Sequence, residues 1–205
     1  MKKRFGIIAV TYREYFKESF FYSILEQTCK DFDLHIYHDG EDIQRWEEYI
    51  RKSGWSANVF WHNTEKRMNQ FGHDLRDLGI KEQADKYEWL IITNCDNYYV
   101  PKFLEYLNQS IESNSNAGVV YYHTVHSHNR GDADPAGEYG LLKGVFEPCR
   151  LDIGAFATKS SICKELGFKE RYNEADAFFI SEIKELQKKW KFDIECVDKI
   201  LFVHN

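Results

Sequence analysis

A regular alternation of short apolar runs and amphipathic segments restricts the fold of this chain more than any other property of the sequence. Residues 5–10 form a continuous apolar run rich in β-branched side chains, which is typical of a buried parallel strand. In residues 14–28 the apolar side chains recur mostly three and four positions apart, which predicts a helix. The same reasoning predicts strands at 34–38, 59–61, 89–93, 118–123, 153–158 and up to 203, and helices through 43–50, 70–84, 160–166 and 175–190.

Strands that alternate with helices imply right-handed β–α–β units. The predicted class is therefore α/β, with a Rossmann-like, mostly parallel central sheet flanked by helices. A chain of 205 residues is long enough for one domain and short for two. Ligands of such folds lie beyond the carboxyl ends of the strands, so we expect the polar segments 11–13, 38–40, 67–77 and 94–97 to face one crevice. The polar stretch 127–140 predicts a binding loop or lid.

Charge and cysteine content limit the partners and the compartment. A net charge of −6 argues against nucleic acid as a partner, because that affinity needs clustered Lys and Arg. The five cysteines are odd in number and widely spaced, which indicates a reducing compartment and predicts a cytoplasmic protein. The first apolar run is only six residues long, so neither a signal peptide nor an integral membrane segment is expected.

Three stretches carry a more specific pattern. Residues 7–40 read as a strand, a Thr-Tyr turn, a Ser-Ile-Leu-Glu-Gln-Thr helix and a strand ending at Asp-Gly. Residues 72–80 read Gly-His-Asp-Leu-Arg-Asp-Leu-Gly-Ile, and residues 92–107 contain Asn-Cys-Asp-Asn before an aromatic pair, a proline and a helix. Together they resemble family 2 glycosyltransferases of the GT-A fold, with Asp77 and Asn94 standing where that family has Asn and Asp. The resemblance covers residues 5 to about 110.

The resemblance implies a single GT-A domain over residues 1–205, with a nucleotide-sugar donor half at 1–110 and an acceptor half at 111–205. It also implies an inverting transfer of a sugar from a nucleoside-diphosphate donor, a UDP-sugar, to a hydroxyl acceptor such as a growing glycan. That activity belongs to polysaccharide biosynthesis.

A divalent cation suits this chemistry, because the diphosphate leaving group gathers negative charge as the glycosidic bond breaks. Mn²⁺ or Mg²⁺ prefers oxygen ligands. The resemblance assigns the metal to Asp96 and Asn94, with His204 completing the shell. The alternatives are a plain turn at residues 94–97 and a terminal histidine that is exposed or satisfied by backbone.

Donor binding is assigned by the same resemblance to the early turns. Thr11 and Tyr12 line the base, Asp39 accepts the uracil N3 proton, and Arg76 reaches the nucleotide that Asn94 and Asp96 also contact. An ordinary Asp-Gly turn is the alternative for Asp39, and a solvated helix face is the alternative for Arg76.

The acceptor hydroxyl needs a general base, and a carboxylate opposite the leaving phosphate is the usual group. Residues 172–176 resemble the acidic motif of the family, with its Glu-Asp pair split by Ala175. Asp176 is the predicted base, Glu174 is the second candidate, and Asp152 is a candidate for acceptor contact. Alternatively, both acids of the motif merely favour a helix N-terminus, where the dipole stabilises negative charge.

Other interpretations remain open on the sequence alone. His123, His126 and His128 suggest either a zinc site or imidazoles that hold an acceptor or phosphate. Asn94 and the short acceptor half favour a catalytically inactive sugar-nucleotide-binding module. A nucleotidyltransferase is disfavoured, because residues 11–14 lack a Gly-rich phosphate loop.

Overall fold

The computed structural model describes residues 3–11, 18–43, 45–54, 58–127 and 139–204. Strands and helices alternate through the first half as predicted. The elements up to residue 94 are β1 (Phe5–Thr11), α1 (Glu18–Leu25), β2 (Phe32–His38), α2 (Trp46–Lys52), β3 (Val59–Asn63), α3 (His73–Gln83) and β4 (Trp89–Asn94). Those that follow are β5 (Tyr98–Tyr99), α4 (Phe103–Ser113), β6 (Ala117–Ser127), β7 (Tyr139–Leu142), β8 (Phe156–Lys159), α5 (Ser160–Leu166), α6 (Ala175–Trp190) and β9 (Asp193–His204).

The described strands pair into one sheet in the order β3-β2-β1-β4-β8-β6-β9-β5, with β7 pairing with β6. β3, β2, β1 and β4 run parallel, as expected from the β–α–β pattern. β8 is antiparallel to both β4 and β6, while β9 runs parallel to β6. The α/β class is confirmed, and the antiparallel β8 brings the second half of the chain against the end of β4.

Three predicted boundaries are wrong. Residues 153–158 do not form one strand, because Asp152 accepts a hydrogen bond from the Gly154 amide at 2.7 Å and winds Ile153–Ala155 into a 3₁₀ turn before β8. The helix predicted at 70–84 begins only at His73, since Gln70 and Phe71 have positive φ angles. The loop predicted at 127–140 has β7 at its end, and residues 128–138 lie outside the described residues.

A buried glutamine just after α1 explains one part of the Ser-Ile-Leu-Glu-Gln-Thr motif. The Gln27 side chain has no solvent exposure, and its amide donates to the carbonyls of Ser23 and Val100, each at 2.7 Å. Its carbonyl accepts from the backbone amide of Leu104 at 3.0 Å, which satisfies one of the open amides in the first turn of α4. Gln27 therefore fixes the segment between β4 and α4, which carries Asp96.

α3 lies close against the sheet at a glycine. A β-carbon built on Gly79 would lie 2.6 Å from Cγ2 of Ile8 and 3.1 Å from Cε2 of Tyr37. Gly79→Ala is therefore expected to lower the free energy of unfolding by about 1–3 kcal/mol through overpacking. Urea denaturation measures the change. Helix propensity alone favours alanine by about 1 kcal/mol, so a variant more stable than the wild type contradicts the close packing.

Two further properties bear on the sequence predictions. The five cysteines all lie in described segments and are free thiols. Within the described ranges, every helix is too short or too polar to traverse a lipid bilayer.

Candidate active site at the carboxyl edge of the sheet

The carboxyl ends of β1, β2 and β4 lie side by side. Thr11 pairs with His38, and Val10 pairs with Asn94. The Asp39 amide donates to the Thr11 carbonyl at 2.9 Å, so the residue after β2 is held beside the end of β1. The ends of three of the four predicted polar segments, at Thr11, Asp39 and Asn94, therefore lie at one edge of the sheet. Tyr12 lies outside the described residues.

Asp39 anchors a neighbouring loop segment. Its buried carboxylate accepts hydrogen bonds from the backbone amides of Met68 at 2.6 Å and Asn69 at 2.9 Å. Each carboxylate oxygen retains a second acceptor site. A cavity of about 370 Å³ opens beside it, and its lining consists of Asp39, Arg67, Asn69, Gln70, Phe71 and Gly72.

Arg76 is buried, with 4% of its surface exposed, so a solvated helix face is the wrong interpretation of this residue. One terminal nitrogen donates to Oδ1 of Asn94 at 2.7 Å. The other donates to the Phe71 carbonyl at 3.2 Å and contacts Nδ1 of His73 at 2.6 Å. Arg76 thereby places a positive charge at the carboxyl end of β4.

His73 is held as a neutral imidazole. Its Nε2 lies 2.9 Å from the Tyr172 carbonyl, so Nε2 carries the proton and Nδ1 accepts from Arg76. Burial lowers the pKa of His73 to about 4, and the adjacent Arg76 contributes to the decrease. His73 therefore links Arg76 to the segment that leads into α6 without adding a second positive charge.

Asn94 and Asp96 lie in a turn that follows β4. The Asn97 amide approaches the Asn94 carbonyl at 3.4 Å, and the Asn97 side chain donates to Oγ1 of Thr93 at 3.0 Å. Asp96 is half-buried in this turn. Because Oδ1 of Asn94 accepts from Arg76, the side chain of Asn94 supports the arginine in this structure.

A second group of polar side chains comes from the other half of the chain. Nε2 of His204, at the end of β9, lies 3.3 Å from Oδ2 of Asp152. His204 also stacks on His126 of β6, with ring centroids 4.4 Å apart. Asp176, in the first turn of α6, accepts a hydrogen bond from the Ile153 amide. The sheet thus gathers three residues, Asp152, Asp176 and His204, that are far apart in the sequence.

The two carboxylates of this group have opposite pKa shifts. Burial raises the pKa of Asp176 to about 6, with Arg76 opposing the rise and Asp152 adding to it. Burial also disfavours the charge of Asp152, but the hydrogen bond and positive charge of His204 outweigh it and lower the pKa. One carboxylate is therefore poised to accept a proton near neutral pH, while the other stays ionised. Glu174, in contrast, is exposed at the N-terminal end of α6.

The histidines weighed for zinc have other partners. Nε2 of His123 lies 2.9 Å from Oδ1 of Asp198, and its Nδ1 accepts from the Gly144 amide at 3.1 Å. His126 stacks on His204, and His128 lies outside the described residues. In the described part of the chain no three His, Cys, Asp or Glu side chains are grouped to hold a metal ion.

Sequence reasoning missed several residues of this region. Two buried tyrosines, Tyr99 and Tyr122, both donate to the Gly154 carbonyl, at 2.9 and 2.7 Å, and fix the turn next to Asp152. Phe71 lines the cavity beside Asp39. Their apolar neighbours and spacing resemble those of ordinary core residues, so no sequence signal distinguished them.

The chain resembles known proteins in its three-dimensional structure rather than in its sequence. No protein-family model and no curated protein sequence matches the chain. Solved structures do. Residues 1–349 of TarS from S. aureus superpose with a TM-score of 0.74 at 14% identity, covering 98% of this chain and 60% of that one. This likeness decides the architecture. The chain has a GT-A fold.

Two other GT-A structures agree with this assignment. The mannosyltransferase PcManGT from Pyrobaculum calidifontis, solved with GDP-Man and Mn²⁺, gives a TM-score of 0.69 at 11% identity, covering 100% of this chain and 57% of that one. GalNAc-T7, solved with UDP, GalNAc and Mn²⁺, gives 0.68 at 12% identity, covering 98% and 43%. The chain thus spans about 60% or less of the length of these structures.

Proposed function

We propose that this protein is a metal-dependent, inverting glycosyltransferase that moves a sugar from a nucleoside-diphosphate donor, a UDP-sugar, to a hydroxyl acceptor such as a growing glycan. The observation that carries the proposal is the Asp176 carboxyl, whose pKa is raised to about 6. It lies within electrostatic reach of Arg76, which holds Asn94 at the carboxyl end of β4. Ligands of open α/β sheets bind at this edge, so the position and the raised pKa support Asp176 as the proposed proton acceptor.

The proposed reaction is a direct displacement. Asp176 takes the proton of the acceptor hydroxyl as its oxygen attacks the anomeric carbon, and the bond from that carbon to the phosphate oxygen breaks. Oδ1 of Asp176 is buried and accepts no hydrogen bond from the described residues, so one oxygen remains available for this proton. Asp152, which pairs with His204, is the candidate for acceptor contact, and Glu174 is the second candidate for the base.

Donor binding is assigned to the first half of the chain. Thr11, Tyr12 and Asp39 would contact the base and ribose end, while Arg76 would act through Asn94 and its positive charge. The ligands bound in two GT-A structures, GDP-Man in PcManGT and UDP in GalNAc-T7, support a nucleotide donor of this kind.

The candidate metal ligands suit a hard divalent cation of the kind present with PcManGT and GalNAc-T7. Asp96 offers a carboxylate, Asn94 an amide oxygen and His204 an imidazole, although Asn94 and His204 already contact Arg76 and Asp152. Mg²⁺ and Mn²⁺ are commonly held by one or two carboxylates together with substrate phosphates, so no all-protein cage is required. When bound, the cation would neutralise charge on the leaving diphosphate.

A second candidate is a sugar-nucleotide-binding module without catalysis. The specific observation in its favour concerns Asn94, which stands where the resembled family has a metal-binding Asp. Oδ1 of Asn94 accepts a hydrogen bond from Arg76. Such a module binds nucleotide but releases no free nucleotide from any sugar donor. The proposed enzyme binds nucleotide and also releases free nucleotide from its sugar donor.

Asp96→Ala is expected to abolish metal-dependent nucleotide binding. Isothermal titration calorimetry of UDP and GDP, with and without Mn²⁺, should show tighter UDP binding in the presence of the metal for the wild type. The variant should bind with equal, weak affinity in both buffers, because the cation has lost its carboxylate.

Glu185→Ala provides the matched control, since Glu185 is 72% exposed on α6 and pairs with Lys188 at the surface. It should bind as the wild type does. If the wild type binds neither nucleotide under any metal condition, the proposed function is wrong and only the fold remains.

A further inference from the structure

The segment that lines the cavity beside Asp39 has an unusual backbone. Asn69, Gln70 and Phe71 have φ angles of 59°, 52° and 55°, and Gly72 follows with 78°. Positive φ angles are uncommon outside glycine, and three consecutive ones in residues with side chains are costly. Such strain persists only where the surrounding structure imposes it, and it concentrates at ligand sites.

The anchors that impose this conformation are visible. The amides of Met68 and Asn69 donate to the Asp39 carboxylate, and the Gly72 amide donates to the Asn69 carbonyl at 3.1 Å. The Phe71 carbonyl accepts from Arg76. The backbone of the segment is thus fixed at both ends by buried charged groups that belong to the candidate site.

The result of this arrangement is an exposed aromatic ring at the cavity. Phe71 is 62% exposed, which is high for a large apolar side chain, and its φ of 55° is in the left-handed region. Its aromatic neighbour His73 has a ring centroid 5.9 Å away at a tilt of 44°, so the two rings are not stacked face to face. The chain therefore presents an aromatic face to solvent next to a buried carboxylate.

These two groups recognise complementary parts of one kind of ligand. A carboxylate accepts hydrogen bonds from N–H groups on the edge of a planar heterocycle, and an aromatic ring stacks on the face of that heterocycle. We propose that Phe71 is the stacking platform for the nucleobase of the donor and, with Asp39, determines that the ligand is a nucleotide. This inference rests on the proposed function, and it assigns a role to a residue that lies outside the three stretches that carry the family resemblance.

The test is isothermal titration calorimetry of UDP in Mn²⁺ buffer with three variants. Phe71→Gly removes the ring and suits the positive φ, so the protein is expected to keep or raise its Tm. Its Kd for UDP should rise by about tenfold or more, the size of a lost base–aromatic stack. Phe71→Tyr keeps the ring and should bind within about twofold of the wild type by the same measure.

Trp190→Ala is the matched control, since Trp190 is a 41% exposed aromatic residue at the far end of α6 from Asp176. Its Kd should equal that of the wild type. If Phe71→Gly binds UDP as tightly as the wild type, or if Phe71→Tyr loses binding as Phe71→Gly does, the stacking role is overturned while the proposed function stands. If the wild type binds no nucleotide, both fall together.

Discussion

Asp176→Asn is expected to reduce sugar transfer by about 10²–10⁴-fold and, at neutral pH, to make the protein more stable. The loss follows because asparagine cannot take the proton of the acceptor hydroxyl. The gain follows from the pKa, which is raised from 3.8 to about 6 in the folded protein. A carboxyl with a raised pKa stabilises the fold only while it is protonated, so its contribution is complete below the unfolded pKa and lost as the pH rises through about 6.

The size of the effect is large enough to measure. The rise in the pKa corresponds to roughly 3 kcal/mol of stability that the folded protein loses when Asp176 ionises. Asparagine should recover about 1–2 kcal/mol of this, because its own amide must also be accommodated in the buried site. In a domain of this size that is an increase in Tm of roughly 2–8 °C. Thermal unfolding in metal-free buffer at pH 7.5 and pH 4.5 measures it, and the increase should be clearly smaller at the lower pH, which lies between the unfolded and folded pKa values.

Asp152→Asn is the matched control, and its expected change in Tm has the opposite sign. The pKa of Asp152 is lowered by His204, so its charge stabilises the fold above its unfolded pKa. Its replacement should lower the Tm at pH 7.5. A decrease in Tm for both variants indicates that Asp176 serves only as a structural carboxylate of the helix N-terminus, and it removes the physical basis for its role as base.

Arg76→Met is expected to move the acidic limb of kcat/KM to higher pH. In the wild type this limb should lie near pH 6, because kcat/KM reports the ionisation of the base in the free enzyme. The positive charge of Arg76 lowers the pKa of Asp176, so removing the charge raises that pKa. Transfer should then need a more alkaline solution to reach its plateau.

The same variant should destabilise the fold by about 3 kcal/mol, since Asn94, the Phe71 carbonyl and His73 each lose a buried donor. Arg76→Lys keeps the charge and should leave the acidic limb near its wild-type position even if it is also less stable. Carbon-13 titration of the Asp176 carboxyl, assigned by its absence in Asp176→Asn, follows the pKa without any donor. An unchanged pKa in Arg76→Met contradicts the coupling.

Much of the fold follows from local patterns. The strands β1, β2 and β4 lie within a residue or two of the predicted ranges, because a buried parallel strand is a continuous apolar run that ends at a polar turn. The failures are of another kind. The turn at Ile153–Ala155 depends on one side-chain hydrogen bond from Asp152, and the late start of α3 depends on the anchors at Asp39. Neither is visible in apolar periodicity.

The candidate site divides in the same way. Local sequence patterns were enough to predict that Thr11, Asp39 and Asn94 lie at one edge, since parallel strands place their carboxyl ends together. The burial of Arg76 beside Asn94 emerged only from the packed molecule, as did the opposite pKa shifts of two aspartates of the same chemistry, Asp152 and Asp176. A pKa depends on burial and on charges brought near by the order of the strands, and that order is a property of the whole sheet rather than of any segment.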